Sequence, residues 1–429
     1  MEDKNIKQSP LKPVPLSERT HWMVPAIIFG GLEFSVPVIM VGAALVGSFS
    51  ILETFGILIM GLVLIQWVGN AVQGYMGAKT GLPAAVLARS SFGRIQARYV
   101  VGLALVILNV GWFGINTSVA GNALAAALGI NYSENYVIWA LLTLLTGLLF
   151  ALPAVLGYNS MKWTDYIAVP AGIILIVAGV YFALSSTGGW ENLMSWNPEP
   201  SMTVFAGISL VIGANVAQWL IASDYTRSSK PKLKDQSLIP LGIVVIGLLF
   251  FMTGAVMAVG VGEPDIVLVM QDLGFPFWGF LILWIALWTS QIVASYSIGL
   301  AASNMFNIDT NKGRASLTLI GSLAGVVLAI VGILNYFTDF LLMMSVVYPT
   351  IFAVMIVDFF FIKKQKWSDE KGWNWNATIA VIIGCILGYI TQYVYSFGIP
   401  AIQSLLLSGI AYYLLTKKSL KSNGKLVKQ

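Results

Sequence analysis

Residues 23 to 49 read MVPAIIFGGLEFSVPVIMVGAALVGSF, an apolar run interrupted near its middle by Pro25, Gly30, Gly31 and Pro37 around Leu32 and Glu33. A membrane-spanning helix needs about 20 mostly apolar residues. This run is long enough, yet it carries the residues that break helices and a single carboxylate at mid-depth. Working outward, eleven more such runs follow near 53–77, 98–129, 134–156, 162–186, 203–222, 238–262, 274–304, 313–334, 338–362, 375–396 and 398–416. The chain of 429 residues is 57% hydrophobic and 10% charged, where soluble proteins carry about 25% charged residues. It therefore reads as an all-α integral membrane protein of twelve transmembrane helices.

The positive charges test this division, because the runs are bracketed by hydropathy alone. All 24 Lys and Arg residues lie before the first run, after the last, in a gap following an even-numbered run, or, as Arg98, Lys162 and Arg314 do, within two residues of such a gap. The gaps after odd-numbered runs, with the first two residues beyond them, hold only acids: Glu53, Glu134, Glu191, Glu199, Glu263, Asp265, Asp272 and Asp339. Short loops rich in Lys and Arg stay on the cytoplasmic side. The expected topology places both termini in the cytoplasm of a cell whose inner membrane holds the protein. It has a cytoplasmic N-terminal arm at 1–22, a single twelve-helix transporter domain at 23–416 and a cytoplasmic tail at 417–429.

The same loop placement accounts for the net charge of +5, so no nucleic acid is expected as a partner. The lone cysteine, Cys385, excludes an intramolecular disulfide. There is one histidine, His21, no GK[ST] phosphate loop and no clustered metal ligands, so neither ATP-driven transport by this chain alone nor zinc hydrolysis is expected. The protein is expected not to be an enzyme, to carry no cofactor, and to need no obligatory protein partner beyond the lipid bilayer.

Polar residues at membrane depth single out a site. An Asp, Lys or Arg at a helix centre costs about 2.5–3.5 kcal/mol on insertion scales and usually faces a water-filled or protein-lined path. Glu33 can serve there as a protonated donor, a proton carrier or a carboxylate meeting an amino group; the bland alternative is a satisfied structural carboxylate. Secondary transporters place their sites where helices are interrupted at equivalent positions of two repeats. The sixth run carries Gly207, Gly213, Ala214 and Asn215, five spans after the first interruption, the spacing expected if spans one to five and six to ten are inverted repeats. Gly and Pro are also simply common in membrane helices. In span three, Trp112 lies among Asn109, Gly111, Gly114 and Asn116, and its ring can stack on a planar ligand or merely pack. Span eight carries Thr289, Ser290 and Gln291. Adjacent hydroxyls suit a hard cation such as sodium, and they also serve as glue between helices. Asn215 and Gln218 share one face of span six, where amides can read donors and acceptors of a heterocycle.

The chain resembles the nucleobase-cation-symport-1 transporters, and within them the bacterial purine-cytosine permeases. The resemblance rests on Gly77-Ala78-Lys79-Thr80-Gly81-Leu82 with Leu87-Ala88-Arg89 and Ser91-Phe92-Gly93, on Gly111-Trp112-Phe113-Gly114, on Ala222-Ser223-Asp224-Tyr225-Thr226-Arg227, and on Leu287-Trp288-Thr289-Ser290 with Gly299 and Asn304. It implies two inverted five-helix repeats plus two peripheral helices, the leucine-transporter-like fold, with sodium-coupled alternating access. It further implies a stacking role for Trp112, polar contacts from Asn116 or Asn109, and a pocket wall of Gly31, Glu33, Ala214, Asn215, Gln218 and Gln291. The implied sodium site comprises carbonyls near Gly30 and Leu32 together with Ala286, Thr289 and Ser290.

The chain departs from the cytosine permeases where specificity is set. They carry an aromatic residue in place of Glu33, a Ser-Phe pair in place of Ala214-Asn215, and Asn-Asp-Asn in place of Gln291-Ile292-Val293. The expected function is sodium-driven import of a nucleobase, cytosine or a purine. The alternative is a proton-coupled importer, working through Glu33, of a hydroxymethylpyrimidine-like vitamin precursor or other heterocycle. A channel or a non-transporting sensor is a remoter reading, since the polar residues concentrate in spans one, three, six and eight and no signalling domain is evident.

Overall fold

A computed structural model describes residues 11–33, 35–130, 134–259 and 265–422; within its helices the side chains of 64, 158–166, 168–169, 217 and 422 are not described. Lys4, Lys7, Glu263, Lys425 and Lys428, which belong to the charge pattern, lie outside the described residues, as does the side chain of Lys162.

The first span is broken. Helices Met23–Leu32 and Val36–Val46 meet at 57°. Glu33 closes the first half with its amide on the Gly30 carbonyl, Ser35 is extended at φ −130° and ψ 130°, and Pro37 stands in the first turn of the second half. Proline is preorganised for that position and cannot continue a preceding helix, so the sequence places the break where the backbone makes it.

Ten further helices correspond to the next spans: Ile51–Thr80, Arg94–Ala127, Tyr136–Leu156, Pro170–Thr187, Val204–Thr226, Leu233–Ala258, Phe277–Phe306, Asn311–Val331, Ile333–Ile362 and Trp375–Val394. Among the described residues, ten helices are thus long and apolar enough to cross a membrane, or eleven with the bent pair counted as one span. The twelfth run forms the helix Pro400–Ser422, which is not among them. Gln403, Ser404, Ser408 and the lysines from Lys417 onward dilute its hydropathy.

Two features differ from the expected repeats or support them. The sixth span is not interrupted: Val204–Thr226 is one continuous helix. It contains no proline, Asn215 returns its amide to the Val211 carbonyl four residues back at 3.2 Å, and Gly213 serves close packing, since a Cβ there would lie 2.4 Å from the Leu341 carbonyl oxygen. The pairing of helices nonetheless keeps the symmetry. Span one packs on seven and two on six, while three packs on nine and four on eight. Exchanging the first five spans with the next five maps each pair onto the other.

Both halves of the first span lie backbone to backbone on the seventh. A Cβ added at Gly42 would sit 1.8 Å from the Phe251 oxygen, one at Gly254 1.9 Å from the Ile39 oxygen, and one at Gly242 2.1 Å from the Ala26 oxygen. Small residues allow such approach between membrane helices, where van der Waals contact replaces the hydrophobic drive.

The basic gaps gather at one end. There the segment before the first span forms a strap. Val14 donates to Gly81 O at 3.0 Å, Arg19 donates to Ala78 O, and Thr20 donates to Ser228 O at 2.7 Å and forms a parallel bridge with Ser229. Lys12 pairs with Asp309 at 3.3 Å. Arg89 is buried and donates to Asn304 Oδ1 at 3.0 and 2.5 Å, and Asp224 accepts from the Ala84 amide at 2.7 Å.

The seam between spans one and seven predicts a sharp contrast. Gly254→Ala forces a methyl into a backbone oxygen that cannot turn aside, and overpacking of this kind costs about 1–3 kcal/mol or more. Gly56→Ala meets nothing within 4 Å. In detergent, the first variant is expected to melt several degrees below the parent protein and the second to match it; equal melting temperatures would refute the seam.

Candidate substrate and ion site

A cavity of about 60 Å³ lies beside the break of the first span. At 10–15 Å³ per water that is room for about four to six waters, the scale of one small ring. Its walls are Leu32, Ser35 and Val38 from span one, Asn109, Trp112 and Asn116 from span three, Ala214, Asn215, Gln218 and Ile221 from span six, and Ser290, Val293 and Ala294 from span eight. Four spans that are far apart in sequence thus converge on one point at the broken helix.

Each asparagine on this wall has its orientation set by a main-chain carbonyl, which can only accept. Asn109 donates to Leu105 O at 2.7 Å, Asn116 to Trp112 O at 3.1 Å and Asn215 to Val211 O at 3.2 Å. The amide oxygens therefore face away from their own helices. Asn116 Oδ1 accepts from Ser35 Oγ at 3.1 Å, while Asn215 Oδ1 has no hydrogen-bond partner among the described residues. A buried acceptor without a partner costs about 1–3 kcal/mol, so this wall favours a ligand that brings a donor. Trp112 is half-buried, meets Phe340 edge to face at 5.6 Å between centroids, and its Nε1 likewise has no partner among the described residues.

Glu33 is fully buried and stands behind the wall. Gln218 Nε2 donates to its Oε1 at 2.5 Å. Its Oε2 has no partner among the described residues and faces Gly247 of the seventh span, where a Cβ would lie 2.9 Å away. Glu33 thus reaches the cavity through Gln218. Gln291 is also fully buried and does not line the cavity; it donates to Phe113 O at 3.1 Å and Thr117 Oγ1 at 2.6 Å, tying span eight to span three. Gly31 does not line the cavity either.

Of the residues expected around sodium, Leu32, Thr289 and Ser290 lie at the same break. Thr289 Oγ1 donates to the Gly31 carbonyl at 2.8 Å, and Ser290 Oγ donates to Leu287 O at 3.1 Å on the cavity wall. Leu32 is on that wall and Ala286 is buried, while the Gly30 carbonyl accepts from the Glu33 amide at 3.1 Å. These are neutral oxygen donors, the kind a hard cation takes. Each hydroxyl turns its hydrogen to a carbonyl and keeps its lone pairs available.

Two residues of this constellation are not among those expected. Ser35 holds Asn116. Gln66, on the second span, donates to Gln218 Oε1 at 2.6 Å and to Asn215 O at 2.9 Å and accepts from the Trp219 indole. Gln66 is a polar residue deep in an apolar run, the same signal that marks Glu33, and it ends a π-helical stretch, Met60–Gln66, that turns it toward span six. Such π turns often occur at functional sites.

Gln218→Leu removes the donor to Glu33 and leaves a buried carboxyl oxygen unsatisfied, at a cost of about 1–3 kcal/mol. The double replacement Glu33→Leu with Gln218→Leu should recover part of the lost melting temperature. Strictly additive losses would show that the two side chains do not interact.

A family model described as permease for cytosine/purines, uracil, thiamine and allantoin matches residues 13–414. The chain is 26% identical over 419 residues to the cytosine permease of Escherichia coli (strain K12), covering 96% of this chain and 94% of that one. It is 25% identical over 386 residues to the allantoin permease of Bacillus subtilis (strain 168), covering 80% and 77%. Among solved structures, Mhp1 in its inward-facing conformation aligns with a TM-score of 0.80 at 18% identity, over 96% of this chain and 93% of that one. A sodium-coupled sialic acid symporter aligns at 0.63 and 14% identity, over 94% and 90%. The fold is therefore the leucine-transporter-like one.

Proposed function

Because this chain belongs to the family of permeases for cytosine/purines, uracil, thiamine and allantoin, we propose that it imports a nucleobase, cytosine or a purine, by sodium-driven alternating access. It is a multi-pass membrane permease and not an enzyme. The observation that carries the proposal is the convergence of Trp112, Asn116, Asn215 and Gln218 on a cavity of one-ring size at the broken first span. Trp112 offers a face for stacking, and the unpartnered Asn215 oxygen favours a ring bearing an amino or N–H group.

Sodium would be held by the carbonyls of Gly30 and Leu32, by Ala286, and by the hydroxyls of Thr289 and Ser290. The tie from Thr289 to Gly31 supports this by linking the eighth span to the break, so that an ion there influences the element that borders the substrate. The protein would sit in the inner membrane with its basic face, and both termini, in the cytoplasm, as one transporter domain over 23–416 flanked by an arm at 1–22 and a tail at 417–429.

The test is uptake into proteoliposomes. A sodium gradient should drive accumulation of at least one labelled base among cytosine, adenine, guanine, uracil and hydroxymethylpyrimidine, and failure with all five removes the proposal. Stacking of a base on an aromatic ring is worth about 1–3 kcal/mol, so Trp112→Ala should raise KM at least about fivefold.

A second reading, proton coupling through Glu33, is favoured by one observation: Oε2 has no partner among the described residues, which leaves it the atom able to take a proton. Glu33→Gln should then abolish any dependence of uptake on a pH gradient, and unchanged dependence would eliminate this reading.

A further inference from the structure

Behind the cavity wall, four buried side chains from three spans form a chain of hydrogen bonds: Trp219 to Gln66, Gln66 to Gln218, and Gln218 to Glu33. We propose that this chain is a relay of fixed polarity and that Gln66, which does not line the cavity, is a positioning residue that sets substrate selectivity by fixing the Gln218 amide. The proposal rests on the nucleobase-permease reading above.

The polarity follows from the chemistry at one end. An indole N–H only donates, so the group facing Trp219 must be the Gln66 oxygen. The Gln66 amine then faces Gln218 Oε1 at 2.6 Å and the Asn215 carbonyl at 2.9 Å, and the carbonyl is a second lock, because it can only accept. With its oxygen engaged by Gln66, Gln218 must present its amine to Glu33 Oε1, as observed at 2.5 Å. Reversing either amide would set oxygen against oxygen or hydrogen against hydrogen at successive junctions. Gln66 is 1% exposed and Trp219 2%, so water cannot repair a mismatch.

The indole cannot withdraw. Spans two and six touch at Gly69, where an added Cβ would lie 2.7 Å from the Trp219 ring. The donor end of the relay is thus clamped between two helices, and the order of oxygen and amine that Gln218 shows the cavity is decided by residues that never meet the substrate. A substrate edge carrying an amino group and one carrying a carbonyl at the same ring position are then unequal partners for Gln218. Such an arrangement of buried polar groups discriminates strongly, because the wrong ligand leaves groups unpaired.

The experiment compares uptake of cytosine with uracil and of adenine with hypoxanthine, pairs that exchange an amino group for a carbonyl, in proteoliposomes of the full chain. Trp219→Phe removes the donor, and Gln66→Leu removes the middle link. Trp67→Phe is the control, since the Trp67 indole donates to Ser237 O at 2.7 Å outside the relay. The ratio of Vmax/KM within a transported pair should shift at least about tenfold in Gln66→Leu, equivalent to about 1.4 kcal/mol, shift in the same direction but less in Trp219→Phe, where the Asn215 carbonyl still holds the Gln66 amine, and stay unchanged in Trp67→Phe.

A constant ratio in the relay variants overturns the proposal, even if KM rises for both members of a pair. It is also overturned if neither relay variant is recovered as a monodisperse folded protein, which would make the chain a structural prop. Absence of uptake of these four bases and of guanine by the parent protein defeats the nucleobase reading itself, and the relay's role with it.

Discussion

The first span rests directly on the backbone of the seventh, and the rest of the site depends on that contact. Gly242 and Gly254 accept the two halves of the broken helix from one side, and Gly42 completes the fit from the other. With no side chain between them, the two spans share a rigid surface that holds the halves at 57°. The break can therefore stay open without a protein core of the soluble kind around it. The Gly31 carbonyl, the Glu33 side chain and Ser35 all take their places from it.

The polar groups around the break follow a simple economy. In the membrane interior a donor or acceptor without a partner is costly, and the asparagines on the cavity wall each give their amine to a carbonyl of their own helix. This steadies the helix at no cost in water contact and turns the oxygens toward the site. A single hydrogen bond contributes only about 0.5–1.5 kcal/mol net, so these contacts add little to stability singly. Their value lies in direction: they decide which atoms a ligand meets. Thr289 does the same at the proposed ion site, by spending its hydrogen on Gly31 and keeping its lone pairs.

Much of this was legible in the sequence, for reasons that also explain the rest. Proline has one backbone angle fixed and glycine lacks a side chain, so Pro25, Gly30, Gly31 and Pro37 announce a break in the first span. The unbroken sixth span shows the limit of that signal: Gly213 is there so that the Leu341 backbone can approach, and spacing cannot tell packing from unwinding. Trp112, Asn116, Asn215 and Gln218 were legible as polar or aromatic residues at depth. The direction of Glu33 and Gln291 was not, because a helix buried on every side has no hydropathic face from which its rotation can be read. Gln66 escaped for a related reason. A π turn shifts the phase of everything after it, so a residue found by counting in steps of 100° appears on the wrong face. The last helix, Pro400–Ser422, forms where a span was expected, but its serines and lysines leave its relation to the bilayer to its neighbours.

The strap at the basic end carries a consequence for how the protein is made. Thr20 pairs with Ser228, 208 residues further along the chain, and Arg19 reaches Ser229 as well as Ala78. The backbone contacts of the segment before the first span are therefore completed only when the sixth span and the turn after it have been synthesised, and its ion pair from Lys12 to Asp309 only after the eighth. Until then this stretch has half its contacts, those to the end of the second span. Elongation runs at about 5–20 residues per second, so the wait is on the order of ten seconds or more. During that interval the strap can be held only by the end of the second span, so its final place depends on residues made long after it.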